Sequence, residues 1–84
     1  MIRSVRGRLT GLDADGAVID VGGLGVGLHV SPTTVAALPA VGEAVDLSAH
    51  LVVREDALDL YGFASTDERA LFLALLGVSK VGPR

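Results

Sequence analysis

The fold class of this chain depends on the segment Ser31-Pro32-Thr33-Thr34-Val35-Ala36-Ala37-Leu38-Pro39-Ala40-Val41-Gly42. Ser31 is a typical helix N-cap, and the fixed φ of Pro32 suits the first helical position. Pro39 lacks the backbone N–H that a continuing helix needs, so the helix ends after Leu38. The segment therefore predicts a short helix inside a sequence that otherwise alternates apolar and polar residues.

Five predicted strands surround this helix, three before it and two after it. Their alternation is typical of strands with one buried face. The first strand shows a phase slip near Ser4, which indicates a bulge or a slipped start. Turn residues at Asp13–Gly16 and Gly22-Gly23 separate the first three strands. The predicted strands are residues 2–12, 17–21, 24–30, 44–53 and 58–63.

This order of elements predicts a mainly β domain over residues 1–64. Three strands, a short helix and two strands are the pattern of a five-stranded Greek-key barrel of the OB type. Small SH3-like barrels give similar strand patterns, but the helix position favours the OB type. Gly25 and Gly27 indicate curvature or close backbone approach in the third strand. The inward-facing candidates in the fourth strand are Val45, Leu47 and Leu51.

A second helix is predicted after the barrel, starting at Ser65 or Thr66. Ser65 and Glu68 have the spacing of a capping box, in which each side chain binds the other residue's backbone N–H. Gly77 is predicted to end the helix. Apolar residues follow the cap at helical spacing, namely Leu71, Phe72, Leu75 and Leu76.

The composition excludes several classes of protein. Half of the 84 residues are apolar and 4% are aromatic, which allows one small domain with an aliphatic core. No cysteine is present, so disulfides and thiolate metal sites are excluded. Neither a signal peptide nor a run of about 20 apolar residues is visible, so we expect a soluble cytoplasmic protein. The net charge of −3 argues against a general nucleic-acid binder.

The charged segment Arg54-Glu55-Asp56 is predicted to form a hairpin tip. One interpretation is a solvated turn, where charges cost little. The other is an acidic projection whose two carboxylates repel phosphates and steer DNA strands. A catalytic pair or a metal site is disfavoured, because neighbouring side chains on a turn point apart and no third carboxylate has a suitable spacing.

The segment Lys80-Val81-Gly82-Pro83-Arg84 also has two interpretations. Gly-Pro after a helix is commonly a stop signal. Alternatively it is the hairpin of a helix-hairpin-helix unit, in which exposed backbone N–H groups and the next helix N-terminus hold a phosphate without reading sequence. Lys80 and Arg84 would then add positive charge.

Other candidate sites are weaker. The glycine-rich run at residues 22–27 lacks the Lys-Ser/Thr of a phosphate-binding loop, and barrel curvature accounts for it. His29 and His50 belong to no clear ligand set, so we expect no metal and no cofactor. The arginines near the N-terminus form either a solvated edge or a phosphate-facing patch, and the sequence does not choose between them; they are Arg3, Arg6 and Arg8.

The chain resembles the RuvA family of Holliday-junction-binding proteins over essentially its whole length. The most specific match is residues 52–57, running into Leu60-Tyr61-Gly62-Phe63. The other matching segments follow in order and spacing: Met1-Ile2, Arg6-Gly7, residues 20–26, His29-Val30, Glu68-Arg69, Leu71-Phe72 and residues 81–84.

The resemblance implies a role for both charged segments. It implies an OB-fold first domain, a second domain of helix-hairpin-helix motifs that begins within residues 65–84, and a fourfold homotetramer that holds a four-way DNA junction open. Glu55 and Asp56, with Arg54 beside them, match the acidic pin at the junction crossover. Residues 80–84 match the first phosphate-binding hairpin, although the family commonly has glycine at the position of Lys80.

The resemblance also implies partners. The family performs no bond chemistry itself; an ATP-hydrolysing ring motor resembling RuvB drives branch migration in recombination and DNA repair, and a junction resolvase is a further candidate partner. The family's motor-binding domain is C-terminal, so we expect residues 1–84 alone not to stimulate the motor. Two alternatives stay open: an acidic OB barrel that binds a protein partner and has no DNA role, and a single-strand binder, which the few aromatic residues disfavour.

Overall fold

The computed structural model describes residues 2–14 and 16–81 of the chain. Five strands and two helices occur in the order predicted from the sequence. Their bounds are β1 (Ser4–Asp13), β2 (Gly16–Val21), β3 (Leu24–Val30), α1 (Pro32–Ala37), β4 (Ala44–Val53), β5 (Leu58–Phe63) and α2 (Thr66–Val81).

The five strands form a closed barrel in the order β1-β2-β3-β5-β4. Neighbouring strands are antiparallel except β3 and β5, which pair in parallel through His29 with Tyr61 and Val30 with Gly62. This parallel pair needs a crossover, which α1 and β4 provide between the two strands. The predicted mainly β, OB-type barrel is thus confirmed.

The core is aliphatic, as the low aromatic content predicted. Val45 and Leu47 are buried as expected, while Leu51 is only half-buried and Ala49 takes the next fully buried position of β4. Among the aromatic side chains of the described residues, Phe63 is the one that is buried. The buried apolar residues are Val5, Leu9, Ala17, Ile19, Leu28, Val45, Leu47, Ala49 and Phe63.

Of the two interpretations of the phase slip near Ser4, the slipped start is confirmed and the bulge lies further along β1. Its pairing with β4 is continuous from Ser4 to Arg8, so the phase slip near Ser4 marks the start of the strand. The register shift lies between Leu9 and Gly11, in the part of β1 that pairs with β2. A bulge increases the local twist of a strand, which lets one long strand pair with β4 by its first half and β2 by its second.

The close backbone approaches involve other glycines than Gly25 and Gly27. A Cβ atom at Gly27 would meet nothing within 4 Å, and one at Gly25 would make only an ordinary contact with Val18 at 3.5 Å. By contrast, a Cβ at Gly7 would collide with the carbonyl oxygen of Asp20. Close backbone approach at Gly25 and Gly27 is therefore wrong, because such an approach depends on the neighbouring strand, which the sequence of β3 does not show. Curvature at these two glycines, the other interpretation, stays a prediction.

Helix α2 is fixed to the barrel by a polar cluster at its first turn. Ser65 Oγ accepts the backbone N–H of Glu68 at 3.1 Å, as a capping residue should. The second half of the predicted capping box is wrong, because the Glu68 carboxylate instead accepts hydrogen bonds from the hydroxyls of Ser31, at 2.5 Å, and Thr34, at 2.6 Å. The first turns of the two helices therefore share one carboxylate.

Contacts of Arg69 and Phe72 also attach α2 to the barrel. Arg69 Nε donates to the carbonyl oxygen of Ala49 at 2.7 Å. The Phe72 ring lies 5.0 Å from that of Tyr61 and 5.1 Å from that of Phe63, measured between ring centroids. Leu71 and Leu75 are 61% exposed, so only part of the predicted apolar face contacts the barrel.

The prediction that Gly77 ends this helix is wrong, since α2 continues to Val81. Glycine inside a helix costs about 1 kcal/mol relative to alanine, which does not by itself break the helix. It ends a helix efficiently where the backbone turns left-handed, and Gly77 keeps the helical conformation. Neither helix of the described chain is long and apolar enough to cross a membrane.

Candidate nucleic-acid interface

The hairpin that joins β4 to β5 carries the first predicted site. The two strands pair continuously from Ser48 with Phe63 to Val53 with Leu58. Beyond this ladder, the backbone N–H of Arg54 donates to the carbonyl oxygen of Ala57 at 2.8 Å and closes the turn. The turn is therefore a defined projection at the end of a barrel hairpin, as the sequence predicted.

Glu55 and Asp56 lie in this turn and form what we call the acidic tip. Both residues are exposed. Neither makes a hydrogen bond or an ion pair with another residue in the described part of the chain. The acidic tip therefore presents two adjacent carboxylates to solvent without a neutralising cation.

Arg54 is adjacent in sequence to the acidic tip but is paired elsewhere. Its Nη1 atom donates to Asp59 Oδ2 at 2.6 Å, and the other oxygen of Asp59 lies 3.3 Å from His29 Nε2. The Asp59 side chain is 23% exposed, against 55% for Arg54, so the pair lies against the barrel surface. The sequence analysis did not single out Asp59. The only sign of this ion pair in the sequence is that a carboxylate follows Arg54 by five residues in a predicted hairpin.

The N-terminal arginines lie on or just before β1. Arg6 Nε lies 3.2 Å from Asp46 Oδ2, its partner residue in β4, so this cation is paired across the two strands. Arg8 Nη1 donates to the carbonyl oxygen of Gly42 at 2.7 Å. Arg3 precedes the strand and is exposed. These contacts fit a solvated edge, and a phosphate-facing role for the three arginines stays a prediction.

The second predicted site lies at the end of the chain. The backbones of Lys80 and Val81 belong to the last turn of α2. Gly82, Pro83 and Arg84 lie outside the described residues. The phosphate-binding hairpin thus stays a prediction, and the structure contributes the helix that leads into it.

The two histidines have structural neighbours. The His29 ring lies 5.1 Å from the Tyr61 ring, and the His50 ring lies 6.1 Å from Phe72 in an edge-on arrangement. Across residues 2–14 and 16–81, no three His, Cys, Asp or Glu side chains are grouped so that they could hold a metal ion.

Comparison with known proteins shows the family to which this chain is similar. The family model described as RuvA N terminal domain matches residues 1–62. The protein named Holliday junction branch migration complex subunit RuvA from Rubrobacter xylanophilus is 50% identical over all 84 residues, which are 43% of that protein. Proteins of the same name from Herpetosiphon aurantiacus and Salinispora tropica are 49% and 51% identical over the whole chain, covering 43% and 42% of their lengths.

The match to the family model covers well over half of the chain, so the chain belongs to the RuvA N terminal domain family. It spans less than half the length of the curated relatives it matches.

Proposed function

We propose that this member of the RuvA N terminal domain family forms the junction-contacting N-terminal part of a Holliday junction branch migration complex subunit. The names of its relatives support a place in that complex. The geometry adds a physical reason, because the barrel ends in a projecting hairpin with two unpaired carboxylates.

The acidic tip is the observation on which this proposal depends. Carboxylates repel phosphates, and the repulsion acts over about 8–10 Å at physiological salt. At the centre of a four-way junction, where four strands exchange partners, Glu55 and Asp56 would disfavour crowding of the phosphates. The arms would then stay open and the exchanging strands would be kept apart.

Affinity in this proposal comes from phosphate contacts without sequence preference. Lys80 and Arg84 flank the proposed phosphate-binding hairpin and supply positive charge there. The net charge of −3 is compatible with this arrangement, because junction binding needs negative charge at the crossover and positive charge along the arms. Further cations would come from the part of the relatives' length that this chain does not span.

The assembly implied by the family completes the proposal. We infer a fourfold homotetramer in the cytoplasm that performs no bond chemistry and presents the junction to an ATP-hydrolysing ring motor of the RuvB kind during recombination and DNA repair. A junction resolvase would act on the same complex. The barrel would be the first domain, and α2 the start of the helix-hairpin-helix domain.

The test is a binding titration of a full-length protein containing these 84 residues, using a four-way junction and a linear duplex with matching arms. We expect preference for the junction and affinity that falls as salt rises. The double variant Glu55→Gln/Asp56→Asn should bind the duplex more tightly relative to the junction. Glu43→Gln/Asp67→Asn removes two exposed carboxylates outside the β4–β5 turn and is the control for net charge.

Three outcomes would contradict the proposal in whole or in part. Equal affinity of the unmodified protein for junction and duplex would remove structure-specific binding, and no affinity for either would favour an acidic barrel that binds a protein partner. An unchanged junction-to-duplex ratio in the Glu55→Gln/Asp56→Asn variant would remove the role of the acidic tip alone.

A further inference from the structure

The charge of the acidic tip depends on where the neighbouring Arg54 guanidinium lies. We propose that Asp59 is a positioning residue that holds Arg54 away from Glu55 and Asp56 and so keeps the acidic tip negative. The inference rests on the proposed function for its effect on DNA, and on the ion pair between Arg54 and Asp59 for its structural basis.

The geometry of the pair supports this role. Arg54 Nη1 and Asp59 Oδ2 are 2.6 Å apart, the distance of a charge-assisted hydrogen bond. Asp59 belongs to β5, where it pairs with Val52 of β4, so the carboxylate is fixed by a strand and not by the turn. It is also the less exposed partner, at 23%. A fixed, partly buried acceptor therefore holds the side chain of a residue that belongs to the turn.

Without Asp59, Arg54 would have other acceptors within reach. Its long side chain starts next to Glu55, and both carboxylates of the acidic tip lack a partner in the described chain. Released from Asp59, the guanidinium would pair with one of them and cancel half of the negative charge. The second Asp59 oxygen faces His29 Nε2 at 3.3 Å, so the carboxylate is held from β3 as well.

Removing one partner of this ion pair or the other should have different effects on the junction-to-duplex affinity ratio. Asp59→Asn frees a cation beside the acidic tip, so the junction-to-duplex affinity ratio should fall by about two- to fivefold, the range expected for one exposed ion pair. Arg54→Gln removes that cation, so the ratio should stay the same or rise. In the double variant Arg54→Gln/Asp59→Asn the ratio should return to the unmodified value. A merely structural ion pair would give the same loss in both single variants.

A matched control separates this effect from a change in net charge. Asp46→Asn frees Arg6 from the corresponding cross-strand pair on β1 and β4, where the distance is 3.2 Å, and changes the net charge by the same amount. We expect the ratio in this variant to stay within about twofold of the unmodified protein, because Arg6 lies on β1 and not beside the acidic tip. A phosphate contact made by the freed Arg6 would strengthen binding to junction and duplex alike. Thermal melts of all variants would show whether each one is folded.

A second measurement is independent of DNA. The Arg54 side-chain Nε–H resonance can be followed by NMR in the 84-residue chain. Adding Glu55→Gln/Asp56→Asn should shift it in the Asp59→Asn background and leave it in place when Asp59 is present. Shifts in both backgrounds, or in neither, would overturn the positioning role. Failure of the junction titration with the expected NMR result would instead overturn the proposed function and leave the positioning role intact.

Discussion

The Ser31 hydroxyl donates a hydrogen bond of 2.5 Å to Glu68, so the residue that caps α1 is joined to the first turn of α2. Ser31 Oγ also accepts the backbone N–H of Thr34 at 3.1 Å. Thr34 Oγ1 repeats the pattern, donating to Glu68 at 2.6 Å and accepting the N–H of Ala64 at 3.1 Å. Each hydroxyl thus donates one hydrogen bond and accepts one. These hydrogen bonds hold α2 at a fixed position on the barrel.

Thr34→Val is expected to destabilise the fold although it conserves shape. Thr34 is fully buried at 0% exposure, so the variant leaves the Ala64 N–H and one Glu68 oxygen without their partner. Both hydrogen bonds are part-buried, and an unpaired buried group costs about 1–3 kcal/mol, so the free energy of unfolding should fall by about 1–3 kcal/mol in total. Thr33→Val, at an exposed position of the same helix, is the control. Equal urea midpoints for the two variants would contradict the role of the hydroxyl.

Glu68→Gln should also destabilise the fold, because an amide has only one oxygen to accept two hydroxyl donors. Hydrogen bonds to a charged group contribute about 1.5–3 kcal/mol, so a loss of that order is expected in urea unfolding. Asp67→Asn is the matched control, since Asp67 lies in the same turn and its removal should cost only the helix-dipole contribution of about 0.3–1 kcal/mol. A larger loss for Asp67→Asn than for Glu68→Gln would refute this account.

The Glu68 carboxylate should also make the free energy of unfolding depend on pH. The hydroxyls of Ser31 and Thr34, in that order, lower the pKa of Glu68 from its ordinary value of 4.5, assisted by the Ala64 backbone and opposed by burial. A lowered pKa in the folded state adds stability above the unfolded-state pKa, and this stability is lost as pH falls through the folded value. The gap in unfolding free energy between the unmodified protein and Glu68→Gln should therefore be constant from pH 7 to about 5 and narrow below about 4.5. A gap that widens on acidification would contradict the sign of the shift.

The sequence allowed the order of elements to be predicted because that order depends on local signals. Alternation marked the five strands, Ser31-Pro32 marked the start of α1, and Arg54–Asp56 marked the hairpin turn. Each of these signals lies within a few neighbouring residues, so it can be recognised without knowing how the barrel closes.

The contacts between elements could not be predicted in the same way. The Ser31–Glu68 hydrogen bond joins residues 37 positions apart, and the local capping-box pattern pointed Glu68 to Ser65 instead. The segment Arg54-Glu55-Asp56 suggests that Arg54 neutralises one of the two neighbouring carboxylates. In the structure Arg54 instead pairs with Asp59, so both carboxylates of the acidic tip stay without a cation. Both facts depend on which side chains the closed barrel brings together, which local spacing does not encode.

Gly7→Ala and Gly27→Ala should have opposite consequences although both glycines lie in strands. An added Cβ at Gly7 would collide with the Asp20 carbonyl oxygen and lie 2.9 Å from Ile19 Cγ2, so β1 and β2 would have to separate. Overpacking of this kind costs about 1–3 kcal/mol or more. At Gly27 nothing lies within 4 Å, and alanine there lowers the entropy of the unfolded chain, which should leave stability unchanged or raise it by up to about 1 kcal/mol. Thermal unfolding of the two variants measures the difference, and a stable Gly7→Ala protein would show that the β1–β2 contact is looser than the barrel geometry requires.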